Sequence, residues 1–173
     1  MDDLYQKLVD QRRGMAWLIG KMPGFRGYME HTTRRTADRL LRDHIASQFK
    51  QLMNEYVNLE TKLLKAGGLA YMSDTKSAKT KFQTLIDRIA TDAPGYSGFF
   101  AANKITPDDL EAIYTFDEAM IRYTEEIAEA LTELSNAIQT QEGIPAALDH
   151  LDSLMVEANQ AYDLRDDVIK GIA

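Results

Sequence analysis

The sequence predicts an all-helical fold, an antiparallel bundle of about five helices, two long and three shorter. Three observations carry this. Apolar residues recur at steps of three and four over long stretches, the spacing that lines one face of a helix. Helix start and stop signals stand at the ends of those stretches. No alternating β-branched run and no Asn-Gly or Asp-Gly turn is present, so strand signals are missing.

The first long helix is expected over about 31–66, on the stripe Ala37, Leu41, Ile45, Phe49, Leu52, Tyr56, Leu59, Leu63. It stops at KAGG, where Gly67 and Gly68 supply the left-handed conformations of a helix end. The second is expected over about 107–141, on Leu110, Ile113, Asp117, Met120, Thr124, Ile127, Leu131, Leu134, Ile138. Its start, ITPDDLEA, offers Thr106 as N-cap, Pro107 in the first turn and Asp109 at the capping-box position. Gly143 ends it and Pro145 opens the next helix. Shorter helices are expected over about 2–20, 74–92 and 146–170, the last on Ala147, Leu151, Leu154, Ala158, Ala161, Arg165, Val168.

Two short segments repeat one device: MPGFRGY at 22–28 and APGYSGF at 93–99. Each stands between a short helix and a long one. Proline disfavours helix at the residue before it, and glycines at positive φ turn the chain tightly. Pro23, Gly24, Phe25, Gly27 and Tyr28, then Pro94, Gly95, Tyr96, Gly98 and Phe99, are therefore read as structural elbows whose aromatics plug the bundle ends. The chain is read as a single domain over 1–173, with pseudo-repeat units at about 1–68 and 74–141 and a C-terminal helix at 146–170. The glycine spacing fits neither a P-loop nor a dinucleotide fingerprint, and no strand precedes it.

The segments MPGFRGYMEHTTRRTADRLLRDHIA, RIATDAPGYSGFFAANKI, YTFDEAM and RDDVIKG, in this order, resemble a family of bacterial all-helical proteins with two such elbows and no known activity. The resemblance spans most of the chain. It implies the fold and leaves the function open.

Composition narrows the chemistry. Of the 173 residues 45% are hydrophobic and 27% charged, and cysteine is absent, which excludes disulfides, thiolate metal sites and a cysteine nucleophile. No stretch approaches a membrane span, and the charged N-terminus lacks the apolar core of a signal peptide, so a cytoplasmic protein is expected. No Glu-x-x-His motif exists for a di-iron bundle, no histidine has a metal-ligating neighbour one turn away, and no Gly-x-Ser-x-Gly is present. Neither a metal, a cofactor nor a catalytic residue is expected. Glu125, Glu126, Glu129 and Glu133 read as an exposed acidic helix face, and His31 as a residue supporting the first elbow.

The net charge of −7 hides an asymmetry. Residues 12–50 carry nine Lys/Arg against three Asp/Glu, a net of +6; residues 108–142 carry ten Asp/Glu against one Arg, a net of −9. Such segments suit intramolecular neighbours or a self-associating surface. Arg34, Arg35, Arg39 and Arg42 form the candidate interaction face, expected to meet the acidic helix within or between chains. Asp38 and Asp43 interrupt that patch and no aromatics interleave it, against nucleic acid.

Two charges stand where the stripes want apolar side chains, Asp117 and Arg165. With the joining turn at Gly143, 26 positions after Asp117 and 22 before Arg165, an antiparallel hairpin brings them within about 6 Å along the axis. A core ion pair is predicted. The expected function is a non-enzymatic module acting through protein–protein contacts, self-association foremost. One alternative is a membrane-surface partner using the N-terminal helix, where Trp17, Leu18 and Ile19 neighbour Arg12, Arg13 and Lys21. The other is an enzyme or small-ligand carrier with a pocket inside the bundle.

Overall fold

The structure is a computed structural model that describes residues 2–22, 34–91 and 106–172. The elbows at 23–28 and 94–99, and His31, lie outside the described residues. Six α-helices follow in order: α1 (Asp2–Asp10), α2 (Met15–Lys21), α3 (Arg34–Lys65), α4 (Met72–Thr91), α5 (Pro107–Thr140) and α6 (Ile144–Ile172). A 3-10 turn, Gly68–Tyr71, joins α3 to α4. The described residues contain no strand, and no helix among them is long and apolar enough to cross a membrane.

The apolar stripes meet in one core. From Ala37 to Leu63 every stripe residue of α3 is buried, and the α5 stripe is buried from Ile113 to Ile138. Phe82, Leu85, Ile86 and Ile89 from α4, with Leu151, Met155, Ala158 and Ala161 from α6, complete it. The pairs α3–α4 and α5–α6 are antiparallel hairpins, as chain connectivity suggests. Between hairpins the neighbours run parallel. Asp38 and Gln48 of α3 lie at the levels of Asp117 and Thr124 of α5. Lys81 and Arg88 of α4 likewise lie at the levels of Asn159 and Asp166 of α6. Periodicity identifies an apolar face but not which helix lies against it, so the side-by-side order becomes visible only in the fold.

The helix ends follow local chemistry. Thr106 accepts from the Asp109 N–H at 3.2 Å while Asp109 accepts from the Thr106 N–H at 2.8 Å, with Pro107 in the first turn. Gly67 takes φ +92° at the end of α3, whereas Gly68 has no positive φ and enters the 3-10 turn. Between α5 and α6 the left-handed positions are Gln141 and Gly143.

The helix expected over 2–20 is instead two helices separated at residues 11–14. Gly14 adopts φ +91°, a conformation no helix contains. The cause is tertiary. Glu118 of α5, 2% exposed, accepts the backbone N–H groups of Arg13 and Gly14, the latter at 2.9 Å. Arg122, one turn further along α5, donates to the Gln11 carbonyl at 3.1 Å. A carboxylate and a guanidinium thus replace the intrahelical partners that the break removes. The two segments read as equivalent also differ in place. Residues 2–22 lie against the outside of α5 and α6, while α4 is one unbroken helix of the four-helix core.

Candidate functional site

Buried charge concentrates where α3 and α5 begin and α4 and α6 end. Arg165, 1% exposed, donates from Nε to Asp117 Oδ1 at 3.0 Å and from Nη2 to Asp38 Oδ1 at 2.7 Å. Asp38 also accepts from Arg42 Nε at 2.8 Å, one turn along α3. Arg88 of α4 reaches Asp163 and Asp166 of α6 at 2.7 and 3.2 Å. Tyr162 offers its ring face to both Arg88 and Arg165, 5.1 and 5.8 Å from the centroid. Guanidinium–carboxylate bonds therefore join four helices, closed to water among Arg165, Asp117, Asp38 and Arg42 and partly open at Arg88 and Asp163. Burial pulls the Arg42 guanidinium down, but the Asp38 charge and hydrogen bond outweigh it, and the net effect is upward. A guanidinium so raised keeps its charge at any ordinary pH, whereas acid–base work needs a group poised near the operating pH. What this cluster can do is hold four helices in one register.

The structure brings Asp117 and Arg165 together and adds Asp38, which the sequence reading overlooked. A signal was available. Asp38 stands three residues before Leu41 and seven before Ile45, a core position next to Ala37. Glu118 and Arg122 had no such signal, because their partners are backbone groups 104 to 111 residues away.

The arginine face expected from Arg34, Arg35, Arg39 and Arg42 needs correction. Arg42 is 7% exposed and turned into the bundle toward Asp38, so it presents no charge at the surface. Arg39 is exposed and lies 3.8 Å from Asp43 on its own helix. The side chains of Arg34 and Arg35 lie outside the described residues. The acidic helix finds other partners. Arg12 meets Glu111 at 2.6 Å, Arg13 approaches Glu125 at 3.6 Å, and Lys21 bonds the same Glu125. From α1, Lys7 reaches Glu157 of α6 at 2.6 Å. Part of the charge asymmetry is thus resolved within the chain, by Arg12, Arg13 and Lys21.

The remaining acidic residues are dispersed. Glu126 lies 3.6 Å from Arg122, and Glu133 lies 2.8 Å from the His150 ring. Burial lifts the Glu126 carboxyl, and Arg122 draws it back only in part. Among the described residues no group of three His, Asp or Glu side chains is placed to hold a metal ion.

Among the described residues, open clefts include the following three. One of about 370 Å³ lies between α2 and the start of α5, lined by Met15, Leu18, Leu110 and Tyr114 with Arg12 and Glu111 on it. A second, about 340 Å³, runs between Leu4 of α1 and Leu164 of α6. The third, about 720 Å³, follows the α5–α6 tip past Glu133, Ala137, Glu142, Ala147 and His150. Two apolar side chains of α2 are engaged, while Ile19 is exposed: Leu18 is 1% exposed, and the Trp17 ring lies under Arg13 and Lys21 at 5.1 and 5.3 Å. No protein-family model, no curated protein and no solved structure matches the chain.

Proposed function

We propose that the chain is a non-enzymatic helical-bundle module that works through protein–protein contacts, self-association foremost. The observation that carries this reading is the use made of the buried charges. Arg165, Asp117, Asp38 and Arg42 bind one another across α3, α5 and α6, and Glu118 binds backbone N–H groups. Groups so committed favour a rigid body that presents surfaces over a site that turns over a substrate. Of Trp17, Leu18 and Ile19, the membrane alternative keeps only Ile19 as an exposed apolar side chain, since Leu18 is buried and Trp17 lies beneath two cations. The ligand-carrier alternative has the α2–α5 cleft in its favour, an open depression on the bundle surface.

The test is co-expression of two differently tagged copies in the native cell, cross-linking, and capture through one tag. The reading expects the second copy, or a protein in fixed ratio to it, to be recovered. Recovery of the bait alone, together with a small molecule retained by the purified chain, would replace this reading with the carrier.

A further inference from the structure

One end of the bundle carries charges that form no ion pair among the described residues. Gln48 of α3 and Thr124 of α5 are in hydrogen-bond contact and the two helices run parallel. From that level α3 continues 17 residues to Lys65 and α5 continues 16 to Thr140. Both hairpins therefore end within about 2 Å of one height, at 1.5 Å per residue. The far end is a nearly flush face made of two tips.

The tips differ in character. On the α3–α4 side, residues 62–76 hold Lys62, Lys65 and Lys76 against Asp74, a net of +2, and all four are exposed. Two large apolar side chains stand among them, Leu69 at 68% exposure and Met72 at 53%. On the α5–α6 side, residues 129–149 hold Glu129, Glu133, Glu142 and Asp149 and no Lys or Arg, a net of −4. Glu133 has His150 as partner. Among the described residues, Lys62, Lys65, Lys76, Glu129, Glu142 and Asp149 make no ion pair.

We infer that this end face is the surface on which two copies of the chain pair head to head, and the inference rests on the self-association reading. A face with one basic and one acidic half is its own complement. Rotation by a two-fold axis lying in that face sets the basic half of each copy on the acidic half of the other, so both contacts form at once. Leu69 and Met72 then leave water against the partner's α5–α6 tip, where Ala137, Ala146, Ala147 and Gly143 line an open cleft. The size of the face sets the strength. Four helices about 10 Å apart present roughly 400 Å² per copy, about half of what a standard interface covers. The pairing is therefore weak, concentration-dependent and sensitive to salt.

Sedimentation equilibrium over a concentration series tests this, with two charge-reversed chains. One carries Lys62→Glu and Lys65→Glu, which turns its basic half from +2 to −2. The other carries Glu129→Lys, Glu142→Lys and Asp149→Lys, which turns its acidic half from −4 to +2. All five positions are exposed, and unchanged thermal melting confirms that each chain folds. Wild type should dimerise reversibly, and each variant alone should dimerise at least about tenfold more weakly, because like charges now face each other. An equimolar mixture should recover a heterodimer, since one chain then offers two acidic halves and the other two basic ones. A dimer that both variants leave intact would overturn this surface and leave self-association standing through another. A wild-type chain that stays monomeric throughout would overturn pairing between copies and leave only a different partner protein.

Discussion

Arg165 binds carboxylates from two other helices, so its removal takes a cation from both at once, although Asp38 keeps its bond to Arg42, whereas loss of either acid leaves Arg165 the other. The two sides of the Asp117–Arg165 contact should therefore be unequal. Arg165→Met removes the cation shared by Asp117 and Asp38, with Arg42 still on Asp38, and should cost about 3 kcal/mol. Asp117→Asn should cost less, because the Asp38 bond remains. Denaturant unfolding of the two single variants and the double variant reads the coupling directly, and an interaction energy of about 1 kcal/mol or more is expected. Strictly additive losses would show that the pair is absent in solution. The net stabilisation is small despite this, because desolvating three charges offsets most of their attraction. What the cluster confers is register.

At the scale of elements, the junction between α1 and α2 depends on α5. Glu118 receives two backbone N–H groups that have no helical partner, and it does so from a nearly water-free position. Glu118→Gln puts an amide donor where an acceptor is needed. Hydrogen exchange at the Arg13 and Gly14 amides should accelerate at least about tenfold, with the α3 and α6 core amides little changed. Unaltered exchange at those two amides would remove Glu118 from the account of the break. The α3–α4 turn makes a different demand. A Cβ on Gly68 would lie 2.7 Å from Leu63 Cγ and 2.8 Å from the Leu63 carbonyl oxygen, while one on Gly14 would meet nothing within 4 Å. Gly14→Ala carries only the strain of φ +91°, about 1 kcal/mol. Gly68→Ala should lower the melting temperature further, because a backbone oxygen has nowhere to move. Equal losses would mean that the turn relaxes at little cost.

For the whole molecule, two buried tyrosines tie stability to alkaline pH. Tyr56, on α3, donates to the Thr75 carbonyl at 2.8 Å, and Tyr123, on α5, donates to Glu157 at 3.3 Å. Burial pushes both phenols up, and the nearby charges of Glu60 and Glu157 add to it. A phenol raised in the fold contributes stability that is complete below the unfolded value of about 10 and is lost as pH rises beyond it. Ultraviolet titration should therefore show Tyr56 and Tyr123 protonated after the exposed tyrosines have ionised, with unfolding eased in the same pH range. Tyr56→Phe should flatten that dependence and, by removing the bond to the Thr75 carbonyl, cost about 1 kcal/mol at neutral pH. All eight tyrosines titrating together in the folded chain would exclude it.

The helices and their core faces were legible from Ala37 to Leu63 and from Ile113 to Ile138, because helical periodicity and the Thr106 cap are local properties of the chain. Asp117 and Arg165 were legible for the same reason, since a charge at a core position of one hairpin has few places to go. The break at Gly14, the burial of Arg42 and the meeting of Arg12, Arg13 and Lys21 with α5 were not. Each depends on groups about 50 to 110 residues away, or on backbone atoms that no side-chain pattern encodes. Sequence alone determined that the chain is helical and which faces the two long helices bury, because those follow from neighbours one turn apart. Only the tertiary structure decided which charges pair, where the first helix breaks and which end keeps unspent charge, because those depend on how the two hairpins lie side by side.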